Sequence, residues 1–164
     1  MNAALSPTRN DLPDATRLEM TRRLDEVLAG VTQLGLHARM AHWNVRGPHF
    51  QQLHELFDQV YQQAGEWADL LAERAVQLGG TADVRLETLA ARGDLPAWRI
   101  DHRDGAASVE QLAAALAAVA ARVRAAIAAA EQAGDAGTAD LFTEISRAAD
   151  KLLWFVEAHA HDGR

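Results

Sequence analysis

Cysteine is absent from the 164-residue sequence, lysine occurs once, and aromatic residues make up only 5% of it. The lack of cysteine excludes disulfide bonds, thiolate chemistry and zinc–thiolate sites. With Lys151 as the single lysine and a net charge of −7, the chain lacks the broadly basic surface of nucleic-acid-binding proteins. Few aromatic residues and abundant alanine favour a helical protein over a β-sandwich.

Long apolar runs are missing as well. Segment 1–20 holds no apolar stretch that could serve as a signal peptide. The longest apolar stretch elsewhere runs from Leu112 to Ala121, and Arg122 interrupts it before it reaches the length of a membrane span. We therefore expect a cytoplasmic protein that does not associate with membranes, and its length suits one domain with a substantial core.

Apolar residues recur at helical intervals in four long segments, which predicts four long helices. Glycine and proline separate the segments, at Gly47-Pro48, Gly79-Gly80, Gly134 and Gly137. The predicted ranges are 16 to about 42–44, about 49–78, 108 to the turn at 134, and 138 to about 158.

Five polar residues are candidates for capping these helices. Thr16 with Glu19, and Ser108 with Gln111, have the spacing of a capping box, and Thr138 can cap the last helix. We expect the first, third and fourth long helices to begin at these positions.

The arrangement predicts an all-α protein with the ferritin-like form of the four-helix bundle, because one long connection lies between the second and third long helices. The connection, 81–107, contains an amphipathic piece from Val84 to Ala91 that we interpret as a short extra helix in the crossover. The bundle is expected to span 14–159, between a flexible N-terminal tail (1–13) and a short C-terminal tail (160–164).

Two pairs of candidate metal ligands lie on the second long helix, His54 with Asp58 and Asp69 with Glu73. At about 100° per residue, all four fall within an arc of about 100° on one face, and His42 lies just before the preceding breaker. Each pair has i,i+4 spacing and is close enough to share one metal ion. Imidazole together with several carboxylates suits Fe²⁺, with manganese or zinc as alternative occupants.

The two pairs cannot hold the same ion within one chain, because about 22 Å of helix separates His54 from Asp69. If two copies of this helix cross antiparallel near residue 63 or 64, each His54/Asp58 pair lies opposite the other copy's Asp69/Glu73. Gly65 lies on the same face near the crossing, where a missing side chain would let the two backbones approach. The spacing therefore suggests two identical metal sites per dimer, each built from two chains.

The spacing alone leaves other interpretations open. A histidine and a carboxylate four residues apart often form only a hydrogen-bonded surface pair. A polar helix face can also do no more than fix the register of a structural oligomer. The Glu-x-x-His motif of di-iron centres inside a bundle is absent from the sequence, which favours an interfacial site over an intra-bundle one.

A resemblance to a known family covers nearly the whole chain. Segment 41–80 reads AHWNVRGPHFQQLHELFDQVYQQAGEWADLLAERAVQLGG, and it closely resembles the most specific region of the Dps family, the mini-ferritins. The similarity continues in TRND at 8–11 and TADLFTEISRAADKLLWFVEAH at 138–159. The pattern H-W-N-x-R-G, then H-x-x-x-D, then D-x-x-x-E-R-A, is highly specific.

The resemblance implies a ferroxidase centre at a dimer interface, made by His42, His54 and Asp58 of one chain with Asp69 and Glu73 of its mate. Each centre would hold at most two iron ions, for which zinc or manganese would compete. Members of the family form a shell of twelve subunits, oxidise Fe²⁺ preferably with hydrogen peroxide rather than O₂, and store ferric oxide-hydroxide inside. The protein would thus be an enzyme, a ferroxidase, that protects against oxidative damage.

The resemblance also suggests roles for residues outside the ligand set. Trp43 would quench oxidising equivalents, although filling the dimer interface is an equally good role for an aromatic residue. Asp140, with Asp135 nearby, would line a negatively charged pore, although an acid in the first turn of a helix also stabilises the helix dipole. His159 and His161 near the C-terminus form either an additional metal-binding tail or merely solvated side chains.

DNA binding is the alternative function that the resemblance raises, because many family members bind DNA through lysine-rich N-terminal tails. Here residues 1–14 contain Arg9 against Asp11 and Asp14, and no lysine. Neutralising phosphates requires several cations per contact patch, and an acidic shell repels a polyanion. We therefore expect little or no DNA binding at neutral pH and physiological salt.

Overall fold

The computed structural model describes residues 5–101 and 103–160, which fold into five α-helices. The described residues contain no β-strand, only an isolated bridge between Arg46 and Asp104. The all-α fold, the four long helices and the short crossover helix are confirmed. The helices are α1 (Asp14–Asn44), α2 (Phe50–Gln77), α3 (Leu86–Arg92), α4 (Gly105–Gln132) and α5 (Ala136–Ala158).

The four long helices pack as two neighbouring pairs, α1 with α2 and α4 with α5, and α1 against α4 and α2 against α5 join the pairs into one bundle. A single core runs through it, and its largest fully buried side chains include Trp67 and Phe57 of α2, Phe142 of α5 and Met20 of α1. Burying one such side chain contributes roughly 2 kcal/mol. The core therefore holds α1 and α2, the helices that carry the candidate ligands, in a fixed relation.

Helix α4 has the length and apolar composition that a membrane span would need. Arg122, which interrupts the apolar run in the sequence, directs its guanidinium toward α1 and the crossover. It donates to the carbonyl oxygen of Glu26 at 3.2 Å and pairs with Asp94. Since Leu112, Leu116, Val119 and Val123 are fully or almost fully buried, α4 is a core helix of the bundle.

The predicted capping box at the start of α1 is not formed. The helix begins at Asp14 after Pro13, which makes no side-chain cap hydrogen bond. Thr16 Oγ1 instead donates to the carbonyl oxygen of Ala133 at 3.2 Å, and Glu19 forms ion pairs with Arg22 and Arg23. The first turn forms without a side-chain cap, and the carbonyl oxygen of Pro13 accepts a hydrogen bond from Arg17 N at 3.0 Å.

Aspartates, not the predicted serine and threonine, cap α4 and α5. Asp104 Oδ1 accepts a hydrogen bond from Ala107 N (2.9 Å), and Asp135 Oδ1 accepts one from Thr138 N (3.0 Å). Ser108 and Thr138 lie buried inside their helices, and Gln111 Oε1 accepts from Arg99 N at 2.6 Å. Because a carboxylate caps as well as a hydroxyl, each helix extends upstream to its aspartate and gains hydrogen bonds.

The segment before α1 is non-helical, but part of it is bound to the bundle. Ser6 N donates to the carbonyl oxygen of Gly79 at 2.7 Å, just after α2 ends, and Gly79 has φ +88°. The buried Arg17 guanidinium donates to the carbonyl oxygens of Leu12 and Leu78 and ties the same segment down. Part of the segment predicted as a flexible tail, 1–13, is therefore hydrogen-bonded to the bundle. Residues 1–4 and 161–164 lie outside the described residues.

Candidate metal centre

His42, near the end of α1, and His54, one turn into α2, face each other across the short connection between these helices. Their rings stack with centroids 3.6 Å apart and an interplanar angle of 21°. His42 Nδ1 donates to the carbonyl oxygen of His54 at 2.8 Å, and His54 Nδ1 donates to the carbonyl oxygen of His42 at 2.8 Å. These two hydrogen bonds fix His42 of α1 and His54 of α2 relative to each other.

This reciprocal pair fixes the tautomer of both imidazoles. A carbonyl oxygen only accepts hydrogen bonds, so each Nδ1 must carry the proton. In the neutral rings, each Nε2 then keeps its lone pair for another partner. A backbone carbonyl that holds Nδ1–H of a histidine is the usual support for a metal-ligating Nε2. The histidine pair therefore fits a metal site.

Asp58 lies one helical turn after His54 and joins the same group. Its Oδ1 lies 4.0 Å from His42 Nδ1 and accepts a hydrogen bond from Arg39 Nη1 at 2.6 Å. Its Oδ2 accepts from Gln62 Nε2 at 2.7 Å. The two histidines and this aspartate, which were predicted as one half of the site, thus lie together in a single chain.

Sequence reasoning missed Arg39 in this arrangement. The residue lies one turn before His42, so its spacing places it on the same side of α1, and this was the signal that could have found it. Its guanidinium carbon lies 4.5 Å from the ring centroid of Tyr61 and 5.5 Å from that of Trp43. A cation therefore already lies at the candidate site.

Asp69 and Glu73, the predicted second half, are exposed on α2, one turn apart. They lie fifteen residues beyond His54 and Asp58, about 22 Å along the helix. Among residues 5–101 and 103–160, no three His, Asp or Glu side chains converge into a group that could hold a metal ion. One chain thus places His42, His54 and Asp58 near one another without forming a complete ligand group, and it does not bring Asp69 and Glu73 to them.

An apolar groove between α1 and α2 lies along the part of α2 that separates the two halves. Its lining includes Leu36, which is 50% exposed, and Tyr61, which is 39% exposed. A Cβ added at Gly65 would meet no atom within 4 Å, so the backbone is open to approach there. The full lining is Val31, Thr32, Gly35, Leu36, Tyr61, Gln62, Ala64, Gly65 and Ala68.

Two aromatic side chains beside the histidine pair are also exposed. Trp43 is 66% exposed and Phe50 is 47% exposed, and the Phe50 ring stacks on His54 with centroids 5.1 Å apart. Large exposed aromatic side chains are unusual for an isolated chain and are enriched at protein interfaces. Trp43 accordingly lies at the rim of the site and not in the core of its own bundle.

The acids at the start of α5 have different environments. Asp135 is 2% exposed, forms an ion pair with Arg74 Nη2 at 2.8 Å and caps the helix. Its carboxylate is therefore engaged by Arg74 and by the start of α5. Asp140 and Glu144 are exposed, and Asp140 is the better placed of the two predicted pore residues to meet an entering cation.

The remaining histidines lie apart from the pair. His37 is buried beside Trp98, with ring centroids 5.4 Å apart, which agrees with a structural role. His49 precedes the first residue of α2, and His159 follows the last residue of α5. His102 and His161 lie outside the described residues, so the predicted histidine tail is not described as a pair.

Comparisons with known proteins agree on the family. The family description "Ferritin-like domain" matches residues 22–164. The DNA protection during starvation protein of Agrobacterium fabrum is 41% identical over 155 residues, which cover 94% of this chain and 96% of that protein.

Solved structures are also similar over nearly their whole length. DpsC from Streptomyces coelicolor has a TM-score of 0.93 and 30% identity, covering 98% of this chain and 94% of that one. The Dps protein from Vibrio cholerae O1, described as a member of a broad superfamily of ferritin-like diiron-carboxylate proteins, has a TM-score of 0.87 and 25% identity. That match covers 96% of this chain and 98% of the Vibrio chain. On the fold, the family match and these relatives, the chain belongs to the Dps family of ferritin-like proteins.

Proposed function

We propose that this protein is a mini-ferritin that binds Fe²⁺ at centres shared between two chains, oxidises it and stores the ferric product. The observation that carries the proposal is the reciprocal hydrogen bonding of His42 and His54, which uses both Nδ1 atoms and leaves both Nε2 atoms available as ligands. Asp58 lies near the same pair, with its Oδ1 4.0 Å from His42 Nδ1. A pair of stacked histidines that served only as a surface contact would have no need for this fixed tautomer.

A second copy of the chain would complete each centre. An antiparallel crossing near Gly65 would cover the apolar groove and bring Asp69 and Glu73 of the other copy opposite His42, His54 and Asp58. The exposed Trp43 and Phe50 would be covered by the same contact. Two identical centres per dimer follow from the two-fold symmetry.

The donor set suits iron oxidation. Neutral imidazoles bind Fe²⁺, and three carboxylates favour the higher charge of Fe³⁺. With hydrogen peroxide, two Fe²⁺, one H₂O₂ and two H₂O give two FeO(OH) and four H⁺, so both electrons pass to the peroxide and no hydroxyl radical is released. Each centre would hold up to two iron ions, with zinc or manganese as competitors, and O₂ would serve as the slower oxidant.

Storage requires an enclosed space. We propose the shell of twelve subunits that is typical of the family, with Asp140 lining a pore for entering cations and Trp43 quenching oxidising equivalents that escape the centre. The name of the Agrobacterium fabrum relative, DNA protection during starvation protein, supports a protective role. We propose that this role is carried out in the cytoplasm. Here protection would come from removing Fe²⁺ and peroxide, because the described part of the N-terminal segment carries Arg9 beside Asp11 and Asp14 and offers little attraction to DNA.

The proposal is tested by loading the metal-free protein with Fe²⁺ anaerobically, adding hydrogen peroxide and following ferric absorbance. We expect fast oxidation in the wild type and only the slow uncatalysed rate in His42→Ala/His54→Ala, with iron co-eluting with a large particle. His49→Ala is the matched control, because it removes a histidine from the same connection but outside the centre. Equal rates in all three proteins would remove the histidine pair from the reaction.

A further inference from the structure

Arg39 is held at the candidate centre by three side chains. Its Nη1 donates to Asp58 Oδ1 at 2.6 Å, and its guanidinium lies over the rings of Tyr61 and Trp43. The Arg39 and Asp58 side chains are 32% and 30% exposed, so neither is a freely solvated surface charge. The guanidinium therefore has a defined place in the metal-free protein.

This place conflicts with the proposed role of Asp58. Arg39 donates to Oδ1, which lies 4.0 Å from His42 Nδ1, and Gln62 donates to Oδ2. A divalent ion bound by the same carboxylate would lie within a few ångströms of the guanidinium, and two cations that share one half-buried carboxylate repel each other strongly. The ion and Arg39 thus compete for Asp58.

We propose that Arg39 is a positioning residue that acts as a displaceable counter-ion: it occupies Asp58 while the centre is empty and leaves the carboxylate when a divalent cation binds. This inference rests on the proposed function and adds to it a control on how tightly the cation is held. Arg39 lowers the affinity of the centre and keeps the Asp58 carboxylate oriented between turnovers.

The two aromatic rings suit this exchange. A planar guanidinium stacks on aromatic faces, and the attraction is worth most where water is partly excluded. The guanidinium already lies over the rings of Tyr61 and Trp43, so it keeps these contacts when it leaves Asp58. A lysine would keep the positive charge but would lose the planar stacking.

Equilibrium binding of Zn²⁺ to the metal-free assembled protein, measured by calorimetry, tests the proposal without any redox step. We expect Arg39→Gln to bind Zn²⁺ roughly ten-fold more tightly than the wild type, because the competing cation is gone. Arg39→Lys should restore most of the competition and lie between the two. Arg124→Gln is the matched control, since it removes the same charge from the exposed ion pair with Asp150 and should bind like the wild type.

The outcomes separate this inference from the proposed function. Weaker or unchanged binding by Arg39→Gln, with a wild type that binds Zn²⁺, would overturn the competition and make Arg39 a structural support of Asp58. Tighter binding by Arg39→Gln and Arg124→Gln alike would assign the effect to net charge and would also overturn it. If no variant and no wild type binds Zn²⁺ while His42→Ala/His54→Ala behaves identically, the centre itself fails, and with it the proposed function.

Discussion

At the scale of single residues, the decisive feature is that hydrogen bonds between side chain and backbone set what each histidine can do. His42 and His54 use Nδ1 on each other's carbonyl oxygens and keep Nε2 available. His37, five residues before His42, is in the opposite situation. It is buried, and its Nδ1 has no hydrogen-bond partner among the described residues.

The environment of His37 leads to a prediction about stability and pH. Burial lowers the pKa of its imidazole from the ordinary 6.5, so the unfolded chain takes up the proton at a higher pH than the folded one. Neutral His37 therefore makes its full contribution to the free energy of unfolding above pH 6.5. That contribution is lost as the pH falls from 6.5 through the lowered pKa of His37 in the folded protein. Chemical denaturation at pH 7.5 and 5.5, at fixed protein concentration, should show a smaller loss for His37→Leu than for the wild type. Identical losses in the two proteins would mean that His37 does not contribute to the pH dependence of stability.

The ligand pattern shows how far sequence reasoning reaches at this scale. The i,i+4 spacing of His54 with Asp58 could be read directly, because a single helix fixes the geometry. The partners of Asp58 could not, since Arg39 meets it only when α1 and α2 pack side by side. The burial of Asp135 was equally hidden, because its partner Arg74 lies 61 residues earlier in the chain.

At the scale of helices, the long apolar periodicities predicted α1, α2, α4 and α5, while the predicted caps were wrong at three starts. Periodicity reflects the whole buried face of a helix, and many residues contribute to it. A cap depends on one hydrogen bond, and several neighbouring Asp, Ser and Thr residues compete to make it. Asp104 and Asp135 make the cap hydrogen bonds because helices that begin there are longer by up to about one turn.

The two aspartate caps should differ in their contribution to stability. Asp104 is exposed and caps α4 only, so Asp104→Ala should cost about 1 kcal/mol of unfolding free energy. Asp135 is buried, caps α5 and pairs with Arg74, so Asp135→Ala should cost about 3 kcal/mol. Denaturant titrations of both variants at one protein concentration make the comparison. Equal losses would show that the buried ion pair adds nothing to the cap.

At the scale of the whole molecule, the net charge of −7 disfavours binding to polyanions such as DNA. An assembly of many such chains would present an acidic surface, and the described part of the N-terminal segment adds no lysine to it. We predict no stable complex with duplex DNA in a gel-shift assay at neutral pH and physiological salt. The control is a variant with several lysines added before Arg9, which should shift the DNA. Tight binding by the wild type would restore the nucleoid-binding alternative.

The central claim is that each centre takes His42, His54 and Asp58 from one chain and Asp69 and Glu73 from another. Co-expression of two inactive variants, His42→Ala/His54→Ala and Asp69→Ala/Glu73→Ala, tests it most directly. In a dimer that contains one of each, one centre carries every substitution and the other has all its ligands. Random pairing therefore predicts that ferroxidase activity returns to about a quarter of the wild-type value. Co-assembled particles that contain both variants and stay as inactive as either parent would contradict a centre shared between chains.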